Sequence, residues 1–168
     1  MMVHMTTTRA RLTEAQLGAW RVFLRAHAQI TRRLEHELLT EQDLPLASYE
    51  VLLHLAEAPG NHLRMTDLAD RVLLSRSGLT RLVDRLEADG LVTRASCPSD
   101  ARGTNAVLTE AGRDRLRAAA PTHLRGVAEH VTDRLTPEEV GQLQALMTKL
   151  LLDPVSPPDG GCGGAEGL

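Results

Sequence analysis

Apolar residues recur along this chain at helical spacing in six separate runs. The first is a stripe of Leu17, Trp20, Leu24, Ile30, Leu34 and Leu38, with Phe23 and His27 beside it. Thr13 is its natural N-cap, and Asp43-Leu44-Pro45 breaks it. Ser48 is the expected cap of a second helix with Tyr49, Leu52, Leu53 and Leu55 inward, ended by the turn residues Pro59-Gly60-Asn61. Thr66 is the expected cap of a third, from Asp67 to about Leu73, with Leu68, Ala69 and Val72 inward. Ser75 caps a fourth, which stops at Asp89-Gly90.

The pattern then changes period. Leu91 to Arg94 reads as the start of one strand and Thr104 to Leu108 as a second, with the polar stretch 95–103 between them. Thr109 caps a fifth helix, predicted to reach roughly Arg134, with Leu116, His123, Val127 and Val131 on its apolar side and a kink at Pro121. Thr136-Pro137-Glu138-Glu139 opens a sixth with a capping box. That helix carries Val140, Leu143, Leu146, Met147, Leu150 and Leu151, and Asp153-Pro154 stops it. Residues 1–11 read as a disordered leader and the glycine-rich stretch 153–168 as a disordered tail.

The fourth helix is apolar on one side only. Leu79, Leu82, Val83 and Leu86 form its inner stripe, while Arg76, Ser77, Thr80, Arg81, Asp84 and Arg85 form the other side. Arginines and small hydroxyls on a short, supported helix suit the edges of base pairs in a DNA major groove. Periodicity alone also allows an ordinary helical hairpin. The strand pair that follows favours a helix-turn-helix with a wing, whose tip arginine can enter the narrow, electronegative minor groove.

Composition narrows the partners. The 168 residues carry a net charge of −3 and are 42 % apolar but only 2 % aromatic, so the core is aliphatic and stacking platforms for single strands or RNA are lacking. From Arg71 to Arg102 the local charge is +2, which places a modest basic excess where DNA contact is expected. Cys97 and Cys162 make no disulfide framework, and no apolar run has transmembrane length, so a reduced, cytoplasmic protein is expected. Phosphate-binding glycine loops, nucleophile motifs and close Cys/His ligand spacings are absent, which argues against an enzyme, a cofactor and a metal site. His123 and His130 do share a helical face, seven residues apart. The first and last helices have more apolar surface than one small domain covers, which predicts an intertwined homodimer, two reading heads about one DNA turn apart and a palindromic operator.

The chain resembles the MarR family of winged-helix regulators from about Leu12 to Leu152. The resemblance rests on Leu68-Ala69, the run from Leu79 to Glu87, Gly90-Leu91-Val92, Asp100-Ala101-Arg102-Gly103 and Leu108-Thr109-Glu110-Ala111-Gly112. It implies a mainly α (α+β) fold: a winged helix-turn-helix over 46–109 with a two-stranded wing, and dimerisation helices over 12–41 and 110–152. It implies an obligate homodimer on palindromic double-stranded DNA, usually a repressor released by a small ligand. By the same resemblance, reading helix 75–89 lies in the major groove and Ser77, Thr80 and Arg81 meet base edges. Arg76, Arg85 and Arg94 meet phosphates, Arg102 enters the minor groove and Asp100 helps hold the wing. Arg85 could instead pair with Asp89. Many relatives take phenolic or other aromatic acids between the dimer helices and the reading domain, which makes Trp20, His27, Tyr49 and His54 the candidate ligand contacts. The family's peroxide sensors carry a cysteine in the first helix, which this chain lacks, but Cys97 leaves open a redox-responsive regulator. A protein-interaction module that keeps the fold without operator binding is the remaining alternative.

Overall fold

The computed structural model describes residues 11–97 and 100–151, with only the backbone at Cys97 and at 100–102. The elements run α1 (Glu14–Gln42), α2 (Leu46–Glu57), β1 (His62–Arg64), α3 (Met65–Arg71), α4 (Arg76–Ala88), β2 (Val92–Cys97), β3 (Asp100–Leu108), α5 (Glu110–His130) and α6 (Pro137–Leu150). Helices dominate, with one three-stranded antiparallel sheet of order β1-β3-β2. This is a winged helix-turn-helix embedded between long helices.

Local chemistry sets most boundaries. Thr13 caps α1 in a full capping box with Gln16, and Asp43 ends it in the left-handed conformation, at φ 48°. Thr136 and Glu139 form the same box at α6. Ser75 accepts from the Gly78 N–H at 3.1 Å to open α4, and Gly90 closes it at φ 73°. The Thr109 hydroxyl accepts from the Gly112 N–H at 3.0 Å and donates to the Gly90 carbonyl at 2.7 Å, so one residue joins the end of α4 to the start of α5. Gly112 is required there because a Cβ would lie 2.1 Å from the Leu91 carbonyl oxygen.

Two expected caps are absent. Ser48 is buried inside α2, which starts at Leu46 behind Pro45 with no side-chain cap of its own. The cap comes from another helix: the Leu46 N–H donates to Glu35 Oε2 of α1 at 2.6 Å. Likewise α3 begins at Met65, one residue before Thr66, whose hydroxyl donates to Asp67 Oδ1 instead of capping. The wing also differs from the two-stranded expectation. β1 adds a third strand through His62↔Val107, Leu63↔Ala106 and Arg64↔Asn105, and three residues are too few to show a strand's alternation in sequence. α5 ends at His130, short of Arg134, in a turn over Thr132–Arg134, and it runs through Pro121 as one helix.

The core lies under the winged helix. Leu38, Val51, Leu52, Leu55, Leu68, Leu79, Val83 and Val92 are fully buried, drawn from the end of α1, α2, α3, α4 and β2. The periphery is different. Only Leu34 and Leu38 of α1 are buried, and α6 buries no residue. Trp20, Leu24, Leu146 and Leu150 are each about half exposed, at 54, 45, 56 and 59 %.

Candidate nucleic-acid interface

The exposed side of α4 is set by what its other side buries. Leu79, Leu82, Val83 and Leu86 are at most 3 % exposed. Burying four such side chains contributes on the order of 6–12 kcal/mol, so the helix cannot rotate without giving up its hold on the core. Arg76, Ser77, Thr80, Arg81, Asp84 and Arg85 are thereby held in water. The Thr80 hydroxyl donates to the Arg76 carbonyl at 2.9 Å, which leaves its lone pairs outward, and the Ser77 and Ser75 hydroxyls sit 3.3 Å apart.

The charges on this helix sort by the side they face. Arg94 lies opposite Ala106 on β3 and reaches back to α4. Its Nη2 is 2.7 Å from Asp84 Oδ1, its Nη1 binds Glu87, and its backbone N–H donates to Glu87 Oε1 at 3.2 Å. Arg94, expected at a phosphate, therefore commits its guanidinium to two carboxylates within the fold. The consequence is favourable for an anion on the other side. Arg94 offsets one of the two negative charges that Asp84 and Glu87 place on α4, while Arg76, Arg81 and Arg85 make no ion pair among the described residues. The alternative pairing of Arg85 with Asp89 does not form; the Asp89 N–H instead closes the helix onto the Arg85 carbonyl.

A cleft of about 400 Å³ separates α4 from the sheet, lined by Arg64, Met65, Thr66, Thr80, Arg94 and Thr104. The wing beyond it continues as antiparallel backbone to the Cys97↔Asp100 pair, with an irregularity between Ser96 and Cys97. The side chains of Cys97, Asp100 and Arg102 lie outside the described residues, and with them the expectations placed on the wing tip.

The expected ligand contacts fall into two groups. Trp20 and His27 flank Phe23 on the exposed part of α1, with ring centroids 5.9 and 6.5 Å from it. Tyr49 is buried and packs on His123 of α5 at 4.4 Å, and His54 is half-buried further along α2. Burial pushes the imidazoles of His54 and His123 down and the Tyr49 phenol up, because each charged form loses water. Of the two histidines sharing a face of α5, His123 meets Tyr49 and His130 meets Glu37, and no three His, Cys, Asp or Glu among the described residues could hold a metal together.

Comparison with known proteins places this geometry. The model of the MarR family matches residues 42–103, which span α2 to the wing. The chain is 39 % identical to Sco3205 of Streptomyces coelicolor, a MarR family transcriptional regulator solved in complex with DNA, with a TM-score of 0.79 over 86 % of this chain and 92 % of that one. The chain belongs to the MarR family. It is also similar to AbsC, another MarR family transcriptional regulator of Streptomyces coelicolor, at 37 % identity and a TM-score of 0.76 over 84 % of this chain and 95 % of that one. An HTH-type transcriptional regulator of Bacillus cereus is 31 % identical over 120 residues, 71 % of this chain and 78 % of the relative. The chain is thus a MarR family transcriptional regulator built on a winged helix. No helix among the described residues is long and apolar enough to cross a membrane.

Proposed function

We propose that this MarR family protein is a homodimeric, sequence-specific regulator that binds palindromic double-stranded DNA, acts as a repressor in the cytoplasm and responds to a small ligand. The observation that carries this is the outer side of α4, where Arg76, Arg81 and Arg85 stand unpaired among the described residues opposite a fully buried stripe. In this reading Ser77, Thr80 and Arg81 meet base edges and Arg76 and Arg85 meet phosphates. Arg102 serves the minor groove from the wing tip, with Asp100 bracing it. Arg94 is left out of the contact set because its charge is already matched.

The dimer is supported by the uncovered apolar residues of α1 and α6, including Trp20, Leu24, Leu146 and Leu150, which a second copy would remove from water. The ligand response is supported by two aromatic groups, Trp20, Phe23 and His27 along α1 and Tyr49 of α2 packed on His123 of α5.

Binding to randomised duplexes, followed by sequencing of the retained fraction, tests the operator. The expected result is an inverted repeat with half-sites about one helical turn apart. Recovery of no shared sequence would reject operator binding and favour the protein-interaction alternative. Sedimentation velocity tests the dimer, and a monomer at micromolar concentration would reject it.

A further inference from the structure

The turn that joins α3 to α4 is made by an ill-suited residue. Val72 ends α3 with its N–H on the Leu68 carbonyl at 3.1 Å, and the Leu74 N–H reaches back to the Ala69 carbonyl at 3.1 Å. A helix closed by that second bond needs a left-handed residue just before the donor, a place usually given to glycine. Here it is Leu73, at φ 52°. A leucine in that conformation crowds its Cβ against the backbone, which glycine would not.

Packing within the chain does not offset the strain. Leu73 is 88 % exposed, the most open of the large apolar side chains among the described residues. The other exposed ones lie on α1, α5 and α6 or at their ends, the helices whose apolar surface a second copy would cover. Leu73 stands apart from them, in the winged helix. A strained backbone and a bare leucine thus coincide at one residue.

Its position narrows what covers it. Ser75 caps α4, and Arg76 and Ser77 open the exposed side of that helix. Two residues of chain span at most about 7 Å, so Leu73 stands beside the end of α4 that a helix-turn-helix points at the bases. Arg71 before it and Arg76 after it make no ion pair among the described residues, and cations beside it favour the phosphates of a duplex. The apolar group that DNA shows on its major-groove base edges is the thymine methyl.

We propose that Leu73 is a specificity-determining residue of the operator complex, packing on the 5-methyl group of one thymine in each half-site. This contact rests on the reading of α4 as the helix that enters the major groove. The strain at φ 52° is then kept for a purpose, because glycine fits the turn but has no side chain to meet the base.

The test uses the full-length protein and the duplex selected from randomised DNA, with each thymine replaced in turn by deoxyuridine, which removes only the methyl. One position in each half-site is expected to lose about fourfold in affinity, the worth of one buried methyl. Leu73→Gly and Leu73→Asn, both compatible with a left-handed turn, are measured on the same duplexes. In both, the effect of deoxyuridine at that position should vanish, which separates Leu73 from the methyl of Thr80 on α4. Without DNA, both variants should unfold at the temperature of the parent or above it. A duplex with no sensitive thymine, or a sensitivity that persists in both variants, would overturn the contact. So would a lower unfolding temperature in both variants, since it would place Leu73 in a packing contact of the folded protein. Tight binding of the selected duplex with no such methyl effect rejects Leu73 alone, whereas failure to select any duplex rejects the reading of α4 and this contact with it.

Discussion

Arg94 of β2 grips Asp84 of α4, Nη2 to Oδ1 at 2.7 Å, and so ties the base of the wing to the flank of α4. Glu87 completes the pair on the next turn of α4. The contact fixes the angle between β2 and α4 and offsets one negative charge on the helix that presents arginines.

Replacing Arg94 by Met should therefore loosen the wing and leave Asp84 and Glu87 facing each other uncompensated. The Arg94 side chain is 26 % exposed and that of Asp84 56 %, so screening limits the loss to about 1 kcal/mol. Chemical denaturation at low and high salt checks this: the difference from the parent should shrink with salt. A loss unchanged by salt would reject the electrostatic account.

The cap supplied by Glu35 predicts an effect in a different element from the mutated one. Glu35→Ala leaves the Leu46 N–H at the start of α2 without its acceptor, a loss of about 1–2 kcal/mol. Glu50 should respond as well. Its carboxyl is pushed up by burial and then by the charge of Glu35, so NMR titration should find it lower in the variant.

Stability should depend on pH through His123. Burial lowers this imidazole from its ordinary value of 6.5. Above that value it is neutral in both the folded and the unfolded chain and contributes nothing to pH dependence. As pH falls below it the unfolded chain takes up the proton first, so stability falls, until the folded chain is protonated too. Denaturation at pH 8 and pH 6 should show the drop, and His123→Gln should flatten it; an equal slope in that variant would reject His123 as the source. His54 acts with the same sign, since burial lowers it too, Glu57 opposing and Arg71 adding.

Arg81 and Arg85 both stand on the exposed side of α4 but are expected to fail differently. Arg81→Ala should cost about 1–3 kcal/mol on the selected operator and little on random DNA. Arg85→Ala should weaken both alike and reduce the salt dependence of binding by about one counterion. A sequence-selective loss at Arg85 would reverse their roles.

The elements themselves were legible in the residues. Leu79, Leu82, Val83 and Leu86 recur at helical spacing, Ser75, Thr109 and Thr136 cap the helices they precede, and Gly90 stops α4, because periodicity and capping are local in the chain. Family membership was legible for the same reason, since the reading helix and the wing follow one another within a short span. What was misread depended on distant partners. Ser48 and Thr66 are good caps by residue type, yet Ser48 is buried and α2 takes its cap from Glu35, eleven residues before Leu46. The partners of Arg94, expected at a phosphate, were likewise not legible, because β2 had to pack beside α4 to bring two carboxylates to it. The contacts that join Arg33, Glu37 and His130 had no signal beyond the one-turn spacing of the first two, because His130 stands 97 residues from Arg33. Short-range hydrogen bonds and apolar period are written in order along the chain; the pairing of charges is decided only when helices and sheet meet, since a guanidinium takes whichever carboxylate the packing delivers.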